Sequence, residues 1–300
     1  MGPREQLKMM TRLPHCLVAI GAALFVPVTA AAPTRTNLLV DTAWLVAHGR
    51  DANIRVVDMR MRGYETGHIP GAVLLDNNAI RVPDRPPNFL PTEAEFVKLM
   101  AKLGIENSTR VIAYDDRGGI YAARLWMVLN AFGHSNVALL DGGWTKWTKE
   151  SRQVTAEVPS VTTARFQAKL DPKWIATAAD VLAAIDKRGV KIVDARTAAE
   201  IAGTDLRGIK RGGAIPSSIP VYWEDTFDPE TKAFKSNAEI EKLYRDRGIG
   251  ANDEVIIYCQ VGMRASHDLF TLALIGQTKG RVYYGSWEEW GNRDDLPIKK

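Results

Sequence analysis

The chain repeats itself, and no other feature limits its architecture as much. "STRVIAYDDRGGIYAARLWMVL" in the first half lies over "NDEVIIYCQVGMRASHDLFTLAL" in the second, with Asp115 and Cys259 at the same place 144 residues apart. The match extends to both sides. "RVVDMR" (55–60) answers "KIVDAR" (191–196), "GHIPGAV" (67–73) answers "GAIPSSI" (213–219), and "DGGWTKW" (141–147) answers "YGSWEEW" (284–290). Blocks that recur in one order mark the duplication of a whole domain, so a fold assigned to one half must serve the other.

Within each copy, short apolar strands alternate with helical patterns. The first copy reads "IRVVD", then "TEAEFVKLMAKLG" with Thr92 as N-cap, then "RVIAYD", a helix after Gly119, and "NVALLDGG". Strands separated by helices predict a parallel sheet covered on both faces. The expected class is therefore α/β: two tandem domains, each a parallel sheet with helices on both faces. The first spans 36–150 and the second 172–300; the polar, threonine-rich and weakly periodic stretch 151–171 reads as the linker. Trp144 and Trp147, with Trp287 and Trp290, read as packing at a helix start.

The formal charge is +4, but residues 1–30 carry +2 of it, so the remainder is nearly neutral for its length. With no basic run interleaved with aromatics, nucleic acid is not an expected partner. Residues 1–30 resemble an export signal: Arg4, Lys8 and Arg12 precede the apolar run "CLVAIGAALFVPV", and "TAAAP" supplies small residues for cleavage after Ala30. The run is short for a membrane span, although an uncleaved N-terminal anchor is the alternative. A cleaved signal implies a periplasmic or secreted protein with no stable membrane insertion. Cys16 lies in that segment, so the mature chain would keep a single thiol, Cys259.

Exported proteins commonly pair their cysteines, so a lone one needs a reason. Inert packing is one, but position favours another. Residues 254–258 read as a buried strand and 264–275 as a helix stopped by Gly276, placing Cys259 at the mouth of a strand-loop-helix turn. The amides of Gln260, Val261, Gly262, Met263 and Arg264 are then orphan donors of the helix start, and a sulfur anion facing them is stabilised.

These motifs together resemble the rhodanese superfamily in its tandem-domain form, over essentially the whole mature chain. The resemblance implies that Cys259 carries sulfur as a persulfide, that Gln260, Val261, Gly262, Met263 and Arg264 bind substrate, and that the first copy, with Asp115 for cysteine and Ile120 at the arginine's place, is catalytically silent. It implies a small anionic sulfur donor, a small thiol or cyanide as acceptor, and no metal or other cofactor. Cys259 to Arg264 is C-x4-R, one residue shorter than the C-x5-R of cysteine phosphatases, which suits sulfur over phosphorus. Gln260 and Met263 depart from the mercaptopyruvate-type loop, so thiosulfate is the expected donor; 3-mercaptopyruvate and a non-catalytic persulfide or anion carrier are the alternatives. The second copy has Ala214 for the histidine of "GHIPG", Ser217 for its glycine, and Glu200 near the place where some relatives put a substrate-binding arginine. Arg196, Arg211 and Arg207 are candidates for that role. His267 lacks a residue to orient it as a base, which speaks against a cysteine-histidine hydrolase.

Overall fold

The computed structural model describes residues 35–86 and 89–300, so the signal-like stretch 1–30 lies outside the described residues. In the first half, β1 (Leu39–Val40), β2 (Ile54–Asp58), β3 (Val73–Leu74), β4 (Arg110–Tyr114) and β5 (Val137–Leu140) form a parallel sheet in the order β1-β5-β4-β2-β3. In the second, β6 (Ile175–Ala176), β7 (Val190–Asp194), β8 (Ile219–Pro220), β9 (Glu254–Tyr258) and β10 (Gly280–Tyr283) repeat the permutation as β6-β10-β9-β7-β8. The helices of the first half are α1 (Arg35–Leu38), α2 (Thr42–His48), α3 (Glu93–Lys102), α4 (Ile120–Ala131) and α5 (Gly143–Lys149). Those of the second are α6 (Ala178–Ala184), α7 (Ala198–Ile201), α8 (Asn237–Arg245), α9 (Met263–Leu274) and α10 (Ser286–Trp290).

Each strand alternates its side chains between two faces, and both faces are apolar. Val56, Ile112 and Ala138 face outward onto Leu45 of α2 and Trp147 of α5, while Ile192, Ile256 and Tyr283 face outward onto Val181 of α6 and the two tryptophans of α10. The inward faces, with α3, α4, α8 and α9, share one core that crosses between the halves. This is why α4 is apolar almost all round: it is buried between its own sheet and α9, with Trp126 edge-on to Phe270 at 5.2 Å. Thr92 caps α3 through a reciprocal capping box with Glu95, which starts the helix where Phe96 and Met100 can face that core.

The segment 151–171 has no helix or strand, yet it is tied along the first domain rather than loose. Thr155 bridges to His68, Ala164 donates to the Ala101 carbonyl, and Phe166 packs edge-on against Phe96.

The two helix starts differ in a way that the repeat conceals. Helix α4 begins at Ile120 after Gly119 (φ 89°), and α9 begins at Met263 after Gly262 (φ 84°). The loop from Cys259 is thus one residue shorter than the loop from Asp115. The second helical position is Tyr121 in one domain and Arg264 in the other, so Tyr121, not Ile120, stands at the arginine's place. At position 262 only glycine serves: φ is left-handed, and a Cβ there would lie 2.3 Å from Cδ2 of Tyr284.

Candidate active site around Cys259

Cys259 follows the last residue of β9, at the carboxyl end of a parallel sheet, where open α/β sheets place their ligands. Its loop is fixed from beneath by α10. Trp287 N–H donates to the Cys259 carbonyl (2.9 Å), Glu288 N–H to the Gln260 carbonyl (3.0 Å), and Cys259 N–H to Ser286 Oγ (3.2 Å). Ser286 has φ 54°, and its hydroxyl is in turn anchored on the Tyr283 carbonyl. Gly262 N–H donates to Sγ at 3.1 Å. Among the described residues, no protein group accepts from the amides of Gln260, Val261, Met263, Arg264 or Ala265. Cys259, Gln260, Val261, Met263 and Arg264 open onto a cavity of about 420 Å³.

Arg264 is not a free counter-charge. Its two terminal nitrogens donate to the two carboxylate oxygens of Glu200, at 2.6 and 2.8 Å, and both side chains are nearly buried. Glu200 is itself the N3 residue of the capping box of α7, held by Thr197. Burial alone would push the Glu200 carboxyl up, but the hydrogen bonds and charge of Arg264, with help from Thr197, outweigh it and hold it at about 2. Burial would lower the Arg264 guanidinium; Glu200 and the Cys259 sulfur reverse that and raise it. The ion pair forms because β7 and β9 are neighbours, which brings the turn after β7 to the Cys259 loop.

In the first domain the corresponding loop is filled by its own side chain. Asp115 Oδ1 accepts from the amides of Arg117 (2.8 Å) and Gly119 (2.9 Å), and Oδ2 from those of Tyr121 (2.7 Å) and Ala122 (2.9 Å). Burial shifts this carboxyl upward against those four donors. Counted from the helix caps, the amides of Gly119, Tyr121 and Ala122 correspond to those of Gly262, Arg264 and Ala265.

Two expected substrate ligands lie elsewhere. Arg196 is fully buried, pairs with Asp194 (2.7 Å), donates to the Gly213 carbonyl (2.8 Å) and stacks 4.2 Å over the Trp287 ring. The duplication explains it: Arg60 does the same with Asp58, the Gly67 carbonyl and Trp144. In each domain a tyrosine, Tyr114 or Tyr258, completes the cluster by donating to the aspartate. Arg211 donates to the carbonyls of Trp290, Gly291, Arg293 and Leu296, fastening the C-terminal segment. Both are structural, and a substrate-binding role is withdrawn for them. Arg207 does reach the cavity wall, 3.9 Å from Glu200. His267 points away, its Nε2–H donating to the Gly118 carbonyl at 2.9 Å; burial pushes its imidazole down to about 4, so it is neutral and turned toward the first domain.

The sequence reading missed Thr197, Tyr222, Trp223 and Glu224 on the cavity wall, and the first-domain residues Arg117, Ile120 and Tyr121. The last three reach the wall because α4 and α9, the helices that follow the two loops, pack on each other.

Comparison with known proteins agrees with this geometry. The family model of the rhodanese-like domain matches twice, at residues 41–150 and 177–293. The chain is similar to a thiosulfate sulfurtransferase of Corynebacterium glutamicum, 36% identical over 274 residues that cover 87% of this chain and 90% of the relative. It is equally similar to the sulfur carrier protein TtuD of Thermus thermophilus, 36% identical over 279 residues covering 88% and 97%. Among solved structures, SseA from Escherichia coli, described as a 3-mercaptopyruvate enzyme of rhodanese fold, superposes with TM-score 0.76 and 28% identity over 84% of this chain and 99% of that one. With a repeated rhodanese-like domain, a cysteine in the second copy at the place of Asp115 in the first, and sulfurtransferases for relatives, the chain belongs to the rhodanese superfamily as a tandem-domain sulfurtransferase.

Proposed function

We propose that the protein moves sulfane sulfur from thiosulfate to a thiophilic acceptor through a persulfide on Cys259. The observation that carries this reading is Asp115. Its carboxylate oxygens stand one atom beyond Cγ and are met by four amides. A cysteine bearing one extra sulfur has the same reach, with Sγ at the place of Cγ and the outer sulfur at the place of an oxygen. The Cys259 loop offers counterparts of three of these amides, Gly262 already donating to Sγ and Arg264 and Ala265 standing beyond it, so it is shaped for the anion that the first domain supplies from its own chain.

In the first half-reaction the Cys259 thiolate attacks the outer sulfur of the donor. A lone pair of Sγ forms the new S–S bond, and the donor's S–S bond breaks with its electron pair leaving on sulfite. Cyanide or a thiolate then takes the outer sulfur, and Cys259 returns as thiolate. The thiosulfate sulfurtransferase among the relatives supports the donor assignment. The cavity volume of about 420 Å³ also admits a larger organic donor such as 3-mercaptopyruvate. The composition of residues 1–30 supports work outside the cytoplasm, on small anionic donors and small acceptors.

The test is mass spectrometry of the protein from its exporting host. The expected chain starts near Ala31, gains one sulfur atom on the Cys259 peptide with thiosulfate, and loses it to cyanide. Turnover with thiosulfate should exceed that with 3-mercaptopyruvate. Loading without turnover would make the protein a carrier, and no loading of a thiol that still alkylates would end the sulfurtransferase reading.

A further inference from the structure

The wall of the Cys259 cavity is built by both domains, and its charges are unequally committed. Arg264 is held in a two-pronged pair by Glu200, and Arg207 lies 3.9 Å from the same carboxylate. Of the acids on the wall, Glu288 pairs with Arg81, and Glu224 is exposed with no ion pair among the described residues. Arg117 differs from the other arginines of the wall. It is exposed on the wall, no carboxylate among the described residues lies within ion-pair distance of it, and its side chain makes one long bond, Nη1–H to Tyr121 Oη at 3.4 Å. Its backbone, by contrast, is held firmly, since its amide is one of the four that grip Asp115.

We infer that Arg117, on the loop of the domain that lacks the nucleophile, is the cation that captures the anionic end of the sulfur donor above Cys259. The Asp115 loop then contributes to the site, because its buried carboxylate rigidifies a turn whose side chain serves the other domain. A planar guanidinium without an acid partner offers two parallel donors to a sulfonate or carboxylate edge. Arg264 meets the donor already held by Glu200, and Arg207 shares that carboxylate at 3.9 Å, so of the wall's arginines Arg117 is the one with no acid partner among the described residues. The inference rests on the proposed anionic donor, and it assigns Arg117 to recognition rather than to the chemical step.

Two measurements on the full chain separate this inference from the sulfurtransferase reading. Rapid-quench persulfide loading against thiosulfate concentration should show the half-saturating concentration rising roughly three- to ten-fold in Arg117→Gln. The limiting rate should be unchanged, and Arg117→Lys should recover most of the loss. Raising the ionic strength should weaken the wild type more than the variant. Independently of sulfur transfer, alkylation of Cys259 by anionic iodoacetate should slow in Arg117→Gln while alkylation by neutral iodoacetamide holds, with Arg188→Gln, at the opposite end of the sheet, behaving as wild type. If iodoacetate and iodoacetamide respond alike to Arg117→Gln, or if thiosulfate loads both proteins at the same half-saturation, Arg117 is not the anion receptor. A chain that takes up no sulfur yet keeps the iodoacetate effect would retain the receptor and lose the transferase.

Discussion

At the scale of single residues, the informative pair is Arg264 and Glu200. A sequence places one on a helix start and the other 64 residues earlier in an unrelated turn; the fold joins them with two short bonds. Removing one partner of a buried ion pair leaves the other uncompensated, at a cost of about 3–5 kcal/mol. Glu200→Gln should therefore lose stability of that order at pH 7 by urea denaturation. The pH dependence has a definite sign. The Glu200 carboxyl falls from an ordinary 4.5 to about 2 on folding, so its contribution is complete above 4.5 and disappears as pH drops toward about 2. The gap between wild type and Glu200→Gln should narrow across that interval, and a gap independent of pH would count against the pair as its source.

Among the elements, α9 carries both the site and a liability. Its fourth, fifth and sixth residues are Ser266, His267 and Asp268, all fully buried, on a helix whose twin α4 has Leu125 where Asp268 stands. Neither carboxylate oxygen of Asp268 has a hydrogen-bond partner, and the nearest basic atom, His267 Nδ1, is 3.8 Å away on a ring that burial keeps neutral. Burial drives the Asp268 carboxyl well up, so folding disfavours its charged form relative to the unfolded chain. Such a group favours folding fully below its unfolded value of 3.8 and loses that contribution as pH rises through its folded value. Asp268→Asn removes the penalty. It should stabilise the protein by about 1 kcal/mol at pH 7, with the gain shrinking toward pH 4, as thermal melts at both pH values would show.

For the whole molecule, the decisive feature is that the inward faces of the two sheets share one core. Helices α4 and α9 pack on each other, Arg124 of the first domain donates to Tyr284 Oη of the second at 2.7 Å, and His267 of the second donates to the Gly118 carbonyl of the first. Neither half can bury its inner helix alone. Urea unfolding should accordingly give one transition, coincident by tryptophan fluorescence and by circular dichroism, despite the two domains. Two resolved transitions would show that the halves are stable apart and that the contact is incidental.

What the sequence determined is what is local or periodic. The duplication, the alternation of buried strands with helices, the parallel sheets and the strand-loop-helix turn around Cys259 all follow from apolar runs and glycine positions within short windows, and they are present. The start of α9 differs from the expected one by a single residue, Met263 rather than Arg264, because Gly262 supplies a left-handed cap. Tertiary structure decided what depends on which strand lies beside which. It paired Arg264 with Glu200 across neighbouring β7 and β9, and it took Arg196 and Arg211 out of the site. It also brought Arg117 and Tyr121 from the other copy to the cavity wall. An arginine reads the same in a chain whether it binds substrate, stacks on a tryptophan or fastens a terminus. Only the arrangement of its neighbours in space, which a parallel sheet sets through long crossover connections, assigns the charge to one of these roles.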